Sequence, residues 1–314
     1  MSLPKVGVSA CIIGQQVRFD GGHKRSSYVD GQLSDVFDLR PLCPEVGAGM
    51  STPRPTVHLR EVGERVRMMD DKNGIDHTEA MQEFNRRAIP GLANLAGYIV
   101  CAKSPSCGME RVRVLNEART GARRDGRGLF TEALMKAYPL LPVEEDGRLN
   151  DLALRENFIT RVFVYQGYKR LLEGDTGEHE LLQFHRRHKL MLMAHNQAIY
   201  RELGRYLAQS REQAIETRLA HYGEQLMSAL AKPASRRAHT NVLQHIGGYF
   251  KRDLDKTERQ HLHQTILAYR SGQLPLMAPM TLLNGLLQRF PKPYIAEQRY
   301  LTPHPERLAL RYHL

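Results

Sequence analysis

The sequence predicts an α/β N-terminal domain followed by an all-α C-terminal domain. Three observations carry that expectation. Residues 1–150 alternate apolar, β-prone runs with Gly/Pro turns and one helical pattern. From about residue 155 the apolar residues recur at helical spacing instead. The charge divides at the same place: residues 151–314 hold 24 Lys and Arg against 15 Asp and Glu, whereas residues 1–150 hold 21 against 19. A chain of 314 residues is long enough for two such domains, 1–150 and 151–314.

Taken in order, "KVGVSACII" is an apolar run that reads as a first buried strand, not as a signal peptide, because no cleavage-site pattern follows it. "QVRFDGG" reads as a short extended piece ending in two glycines. "FDLRPLCPEV" is apolar up to a proline, and "GAGMSTPRP" is a Gly/Pro loop. "TVHLREVGERVRMMD" alternates apolar and charged residues, as strands with one wet face do. After a "DKNG" turn, Asp76 and Glu79 form an Asp-x-x-Glu start signal for a helix to about Leu95, with a break near Pro90-Gly91. "GYIVCA" is the next buried strand. Beyond residue 151, helices fit residues 195–210, 213–231, 237–254 and 255–272, among others. No run of ~18 apolar residues is present, so no membrane span is expected.

Four cysteines in a chain of this size are too few for a disulfide framework and suit a reducing cytoplasm. Cys11, Cys43 and Cys107 each follow an apolar run and sit beside Gly or Pro, in "SACIIG", "LCPEVGAG" and "SPSCG". In open α/β sheets ligands bind beyond the carboxyl ends of strands, so three loops could bring these thiols together. Their spacings of 32 and 64 residues match no zinc-ribbon or ferredoxin pattern, so spacing alone leaves metal ligation and plain burial both open. Thiolates in turn-forming surroundings suit iron–sulfur ligation better than packing alone. Cys101 lies inside "YIVCA" and reads as a core residue of its strand.

The motifs "SACIIG…VRFDGG", "CPEVGAGMSTPR" and "KSPSCG" resemble those of the thiouracil desulfidase family over about residues 4–150. The helical extension resembles the domain fused to it in a branch associated with removing sulfur from 4-thiouridine in tRNA. This resemblance implies a [4Fe–4S] cluster held by Cys11, Cys43 and Cys107, with one iron not ligated by protein. It also implies Glu45, two residues after the second cysteine, and Ser104, in the Ser-Pro-Ser-Cys turn, as catalytic groups. The implied reaction is desulfidation, hydrolase- or lyase-type cleavage of C=S without net electron transfer. Water attacks the thiocarbonyl carbon and sulfur leaves, with Glu45 handling a proton. Asp20, Arg54 and Lys103 are polar residues of the same loops, placed to hold the uracil ring or backbone phosphates. The sulfide acceptor stays unassigned.

The helical half interleaves cations with aromatics in "YQGYKR", "FHRRHK" and "YFKR". Cations for phosphates and rings for bases are how RNA is bound, although rings at helical spacing also build cores. His185, His188 and His195 lack an acidic partner at metal-binding spacing and read as surface or packing residues. Together these expectations describe a cytoplasmic tRNA 4-thiouridine desulfidase. Two alternatives stay open: a desulfidase of free thiouracil or thionucleotides, and an RNA-binding or regulatory protein with a structural metal site.

Overall fold

The computed structural model describes residues 2–70, 72–305, 308, 310 and 311. Two compact units divide the chain, Met1–Asn150 and Asp151–Leu314.

Among its described residues the first unit contains two sheets. The nine strands described are β1 (Lys5–Ser9), β2 (Asp38–Leu42), β3 (Val57–Val62), β4 (Arg65–Asp70), β5 (Ile75–Asp76), β6 (Gly97–Val100), β7 (Val112–Leu115), β8 (Ala122–Gly126) and β9 (Val143–Glu145). Its helices are α1 (Pro44–Gly47), α2 (Thr78–Ala88) and α3 (Leu129–Ala137). One sheet is wholly parallel, in the order β2-β1-β6-β9, with Val6 opposite both Leu39 and Gly97, and Tyr98 opposite Val143. Parallel sheets are covered on both faces, and the β1 run reads accordingly: Val6, Gly7, Val8 and Ser9 are buried in succession. Gly7 lies between the two valines because a Cβ there would stand 2.3 Å from the Tyr98 ring. The second sheet is mixed, in the order β5-β4-β3-β7-β8. The alternating run is a hairpin of β3 and β4, turning at Gly63 with φ 58°.

The first strand, the parallel arrangement and the "GYIVCA" strand are present as expected. "QVRFDGG" is not extended: it is a turn, in which the Gly21 amide donates to the Arg18 carbonyl at 3.0 Å. The expected helix is α2, followed by one tighter turn over Ile89–Leu92 where Pro90 ends the α-helical bonding. Asp76 acts at its start, accepting from the Thr78 amide at 2.9 Å. "DKNG" is a turn at residues 72–74, with residue 71 outside the described residues.

The second unit consists of helices among its described residues: α4 (Leu152–Glu173), α5 (Glu178–His195), α6 (Gln197–Gln209), α7 (Ile215–Ala229), α8 (Arg236–Gly248), α9 (Lys256–Arg270), α10 (Met277–Arg289) and α11 (Pro293–Ala296). Four of these helices start on side-chain caps. The Asp151, Asn196 and Ser235 side chains each accept from amides of the following turn, and Asp255 with Glu258 closes a capping box. No described helix is long and apolar enough to cross a membrane.

Candidate active site at the carboxyl edge of the parallel sheet

The loops leaving β1, β2 and β6 bring the thiols together. Cys11 lies in a single tight turn, Ala10–Ile13, directly after β1. Cys43 follows β2 and is the residue before α1, so Glu45 falls in that helix's first turn. Cys107 ends the Ser104–Cys107 turn that follows β6. The strand order changes direction around β1, between β2 and β6, which is where open α/β sheets form crevices. Cys11, Cys43, Cys101 and Cys107 all line one cavity of about 280 Å³, with Glu45, Arg54, Lys103, Ser104 and Ser106. All four thiols are free.

The turn carrying Cys107 is pinned from behind by the start of α3. The amides of Leu129 and Phe130 donate to the carbonyls of Pro105 and Ser106 at 3.1 and 3.0 Å, and the Thr131 hydroxyl donates to the Cys107 carbonyl at 2.6 Å. A glycine is required at 128, because a Cβ there would lie 2.4 Å from the Ser106 carbonyl carbon. Within the turn, the Ser104 Oγ accepts from the Cys107 amide at 3.1 Å.

Glu45 is held at both oxygens. Its Oε1 accepts from the Ser106 hydroxyl at 2.6 Å, and Ser106 Oγ lies 2.9 Å from Ser104 Oγ. Each hydroxyl carries one proton. With the Ser106 proton on Glu45, the Ser104 proton points to Ser106, giving the series Ser104–Ser106–Glu45. Ser104 therefore meets the carboxylate only through Ser106. The Oε2 atom takes the Nε of Arg54 at 3.0 Å, and Nη2 as well. Arg54 also donates to the carbonyls of Val17 and Ser51, each at 3.0 Å, and to Thr52 Oγ1 at 3.2 Å. All five guanidinium N–H groups are thereby engaged. That leaves none for a phosphate, and the expected substrate contact becomes a clamp on Glu45.

Asp20 does not join the cavity. Its carboxylate accepts from the Gly22 amide at 3.0 Å, closing the local turn, and this bond is the first cause that lowers its pKa. Its neighbours Arg18 and Phe19 line the cavity instead. Lys103 does line it, from an exposed position with φ 64°, a left-handed conformation uncommon for a residue with a side chain.

Cys101 is buried as expected, but it lies one residue past the end of β6 and borders the cavity with the other thiols. A hydrogen bond with Cys11 raises the Cys11 thiol and lowers that of Cys101, with Lys24 also favouring the Cys101 thiolate. Lys24 is itself fixed by Asp146 at 2.9 Å. Burial pushes Cys107 up to about 12 and is the first cause raising Cys43. Metal binding must displace those protons. Among the described residues no three His, Cys, Asp or Glu side chains converge on a single-ion site. A larger polynuclear group is what this donor set fits: soft thiols, unbridged, spread around a cavity with a carboxylate at its side.

Ser106, Arg54's clamp and the Lys24–Asp146 pair were not assigned from sequence. The repeated serine in "SPSCG" was the available signal for the first. In the helical unit, the Nδ1 atoms of His185, His188 and His195 lie 3.3, 2.8 and 2.9 Å from Tyr222 Oη, the Phe184 carbonyl and the Lys232 carbonyl, as packing residues do.

Comparison with known proteins divides the chain similarly. Residues 6–146 match the family model described as 2-thiouracil desulfurase. Residues 189–305 match one described as a protein of unknown function, DUF1722. The uncharacterized protein YbgA of Escherichia coli (strain K12) is 35% identical over 158 residues, which are 50% of this chain and 94% of that protein. A solved structure of the [4Fe-4S]-dependent thiouracil desulfidase TudS is 29% identical, covering 50% of this chain and 99% of that one, with a TM-score of 0.40.

Proposed function

The chain belongs to the family of the uncharacterized Escherichia coli protein YbgA, and given also its 2-thiouracil desulfurase match over residues 6–146, we propose that it is a desulfidase converting 4-thiouridine in tRNA to uridine. The observation that carries the reading is one cavity uniting Cys11, Cys43 and Cys107 with the hydrogen-bonded series Ser104–Ser106–Glu45. A [4Fe–4S] cluster held by these three thiolates, one iron free of protein, would supply a soft Lewis acid for the departing sulfur.

The remaining chemistry falls to the chain's own residues. Exchanging C=S for C=O consumes one water and releases one sulfide, so no electron is needed. Glu45 accepts a proton from the attacking water at Oε1, while Arg54 keeps Oε2 fixed. Reversing the two hydroxyl donors then returns a proton through Ser106 to Ser104, within reach of a base nitrogen in the cavity. The polyanionic substrate is supported by the excess of nine positive charges on residues 151–314. The free cysteines are consistent with work in a reducing cytoplasm.

A second reading is favoured by the extent of the family match. It covers the whole cysteine site without the helical unit, so free thiouracil or a thionucleotide is the alternative substrate. One experiment separates them: anaerobically reconstituted full chain is given thiolated tRNA or free thiouracil, with sulfide measured and tRNA nucleosides analysed. Turnover of the free base alone would overturn the tRNA reading. Sulfide from neither would overturn desulfidation.

A further inference from the structure

The helical unit sorts its aromatic residues into two populations. Tyr168, Tyr222, Tyr269 and Tyr300 are buried, and "YQGYKR" and "FHRRHK" contribute chiefly to that core through Tyr165, Tyr168, His185 and His188. A second set gathers at the surface from four helices. Tyr249, directly after α8, is 40% exposed and lies 5.8 Å from the Tyr294 ring of α11, with the two planes 36° apart. His245 packs edge-on against Tyr249 at 5.7 Å. Arg186 of α5 stands 5.5 Å over Tyr294, and Lys189, one turn along the same helix, stands 5.9 Å from the Tyr200 ring of α6. Tyr200 and Tyr294 are half-buried.

We propose that Tyr249 and Tyr294, flanked by Arg186 and Lys189, form a stacking platform for unpaired nucleotides of an RNA. The proposal rests on the tRNA reading above and deepens it. Rings left at a surface, with cations close to them, meet the two needs of unpaired RNA: exposed π-faces for bases and positive charge for the linking phosphates. A protein partner would need a wider apolar area than these tilted rings give. The surface is not purely basic, since Glu297 lies 3.9 Å from Arg186. Lys292 is paired with Asp253 and is not counted among the groups that meet phosphate.

The test measures binding of thiolated tRNA, and of a short single-stranded RNA, to the full cluster-loaded chain across a salt series. Stacking removed by alanine is worth ~1–3 kcal/mol per base, so Tyr249→Ala with Tyr294→Ala should weaken binding about 5- to 150-fold for each base that loses its stack. The salt slope should stay the same, because no charge is removed. The Phe pair at both sites should bind within about twofold of wild type, since the π-face is kept. Arg186→Gln with Lys189→Gln should instead flatten the salt slope by ~0.7–0.9 for each phosphate that is no longer neutralised. Thermal melting checks that each variant is folded, and the charge pair decides the matter should the Ala pair not fold. If wild type binds tRNA and both the Ala pair and the charge pair bind as wild type does, the platform falls and the tRNA reading stands. If wild type binds neither RNA, both fall.

Discussion

Ser106→Ala separates a proton relay from a turn that merely positions Cys107. Ser106 is 1% exposed, and its hydroxyl is the donor to Glu45 Oε1 at 2.6 Å. Removing that oxygen leaves a carboxylate lone pair without its partner and disconnects Ser104 from Glu45. A hydrogen bond to a charged group is worth ~1.5–3 kcal/mol. If its loss is felt in the transition state, turnover falls about 10- to 150-fold at ~1.36 kcal/mol per decade. The cluster should remain, because the backbone contacts that hold the turn from α3 do not involve the hydroxyl. A series connection adds a sharper condition. Ser104→Ala, Ser106→Ala and the double variant should lose nearly the same activity, since breaking one link already opens the series. The assay is anaerobic sulfide release per cluster, with iron content and visible absorbance as controls. Wild-type turnover in Ser106→Ala, or a double-variant loss equal to the product of the single losses, would refute the relay.

The other thiols and acids give further expectations. Cys11→Ala, Cys43→Ala and Cys107→Ala should each lose iron and brown absorbance, while Cys101→Ala keeps most of both; iron counts on anaerobic preparations decide, and loss in Cys101→Ala would make it a ligand. Glu45→Gln should retain iron and lose ~10²–10⁴-fold in turnover, the usual cost of removing a general base; near-normal rates would place the proton elsewhere. The helical unit should be acid-labile. Burial lowers His185 and His188 to about 4 and His239 to about 3, from 6.5. Depressed folded values mean the stability is present above about pH 6.5 and is lost as pH falls toward 4, by roughly 3 kcal/mol per ring. Helical circular dichroism followed from pH 7 to pH 4 checks this, and a flat signal would show that these rings charge without unfolding.

What could be read from the sequence followed from strong local patterns. β1 and β6 are short apolar runs bounded by turns, and the Gly/Pro surroundings of Cys11, Cys43 and Cys107 marked them as loop residues at strand ends. β8 was not legible: four of the five residues in "ARRDG" are exposed, so no alternation survives to identify the strand. Cys101 misled because its apolar run continues one residue past the last strand residue, Val100, and that residue already faces the cavity. Arg54 and Asp20 could not be told apart from substrate contacts by type. Only their partners in three dimensions show one engaged in clamping Glu45 and the other in closing a turn. Likewise, "YFKR" holds one buried ring and one exposed ring side by side, Phe250 and Tyr249, and the partner of the exposed one lies 45 residues further along, at Tyr294.

The same comparison of partners isolates Lys103. Of the cations near the cavity, Arg54 is fully engaged, Lys24 is paired with Asp146, and Arg18 lies 3.6 Å from Asp20. Lys103 is exposed, lines the cavity, and adopts φ 64° immediately before Ser104. The left-handed region costs a side-chain-bearing residue ~1–2 kcal/mol, a cost glycine avoids, while glycine itself loses ~0.5–1 kcal/mol more in chain entropy. Lys103→Gly should therefore be as stable as wild type or more stable, by up to ~1.5 kcal/mol, and Lys103→Ala should not gain. The test of a substrate contact is whether removing the amine changes substrate affinity without changing the cluster. Both variants should raise KM for thiolated tRNA while leaving iron content intact. An unchanged KM in both would reduce Lys103 to a strained turn residue, and a lower melting temperature for Lys103→Gly than for Lys103→Ala would show that the left-handed backbone is not the source of the strain.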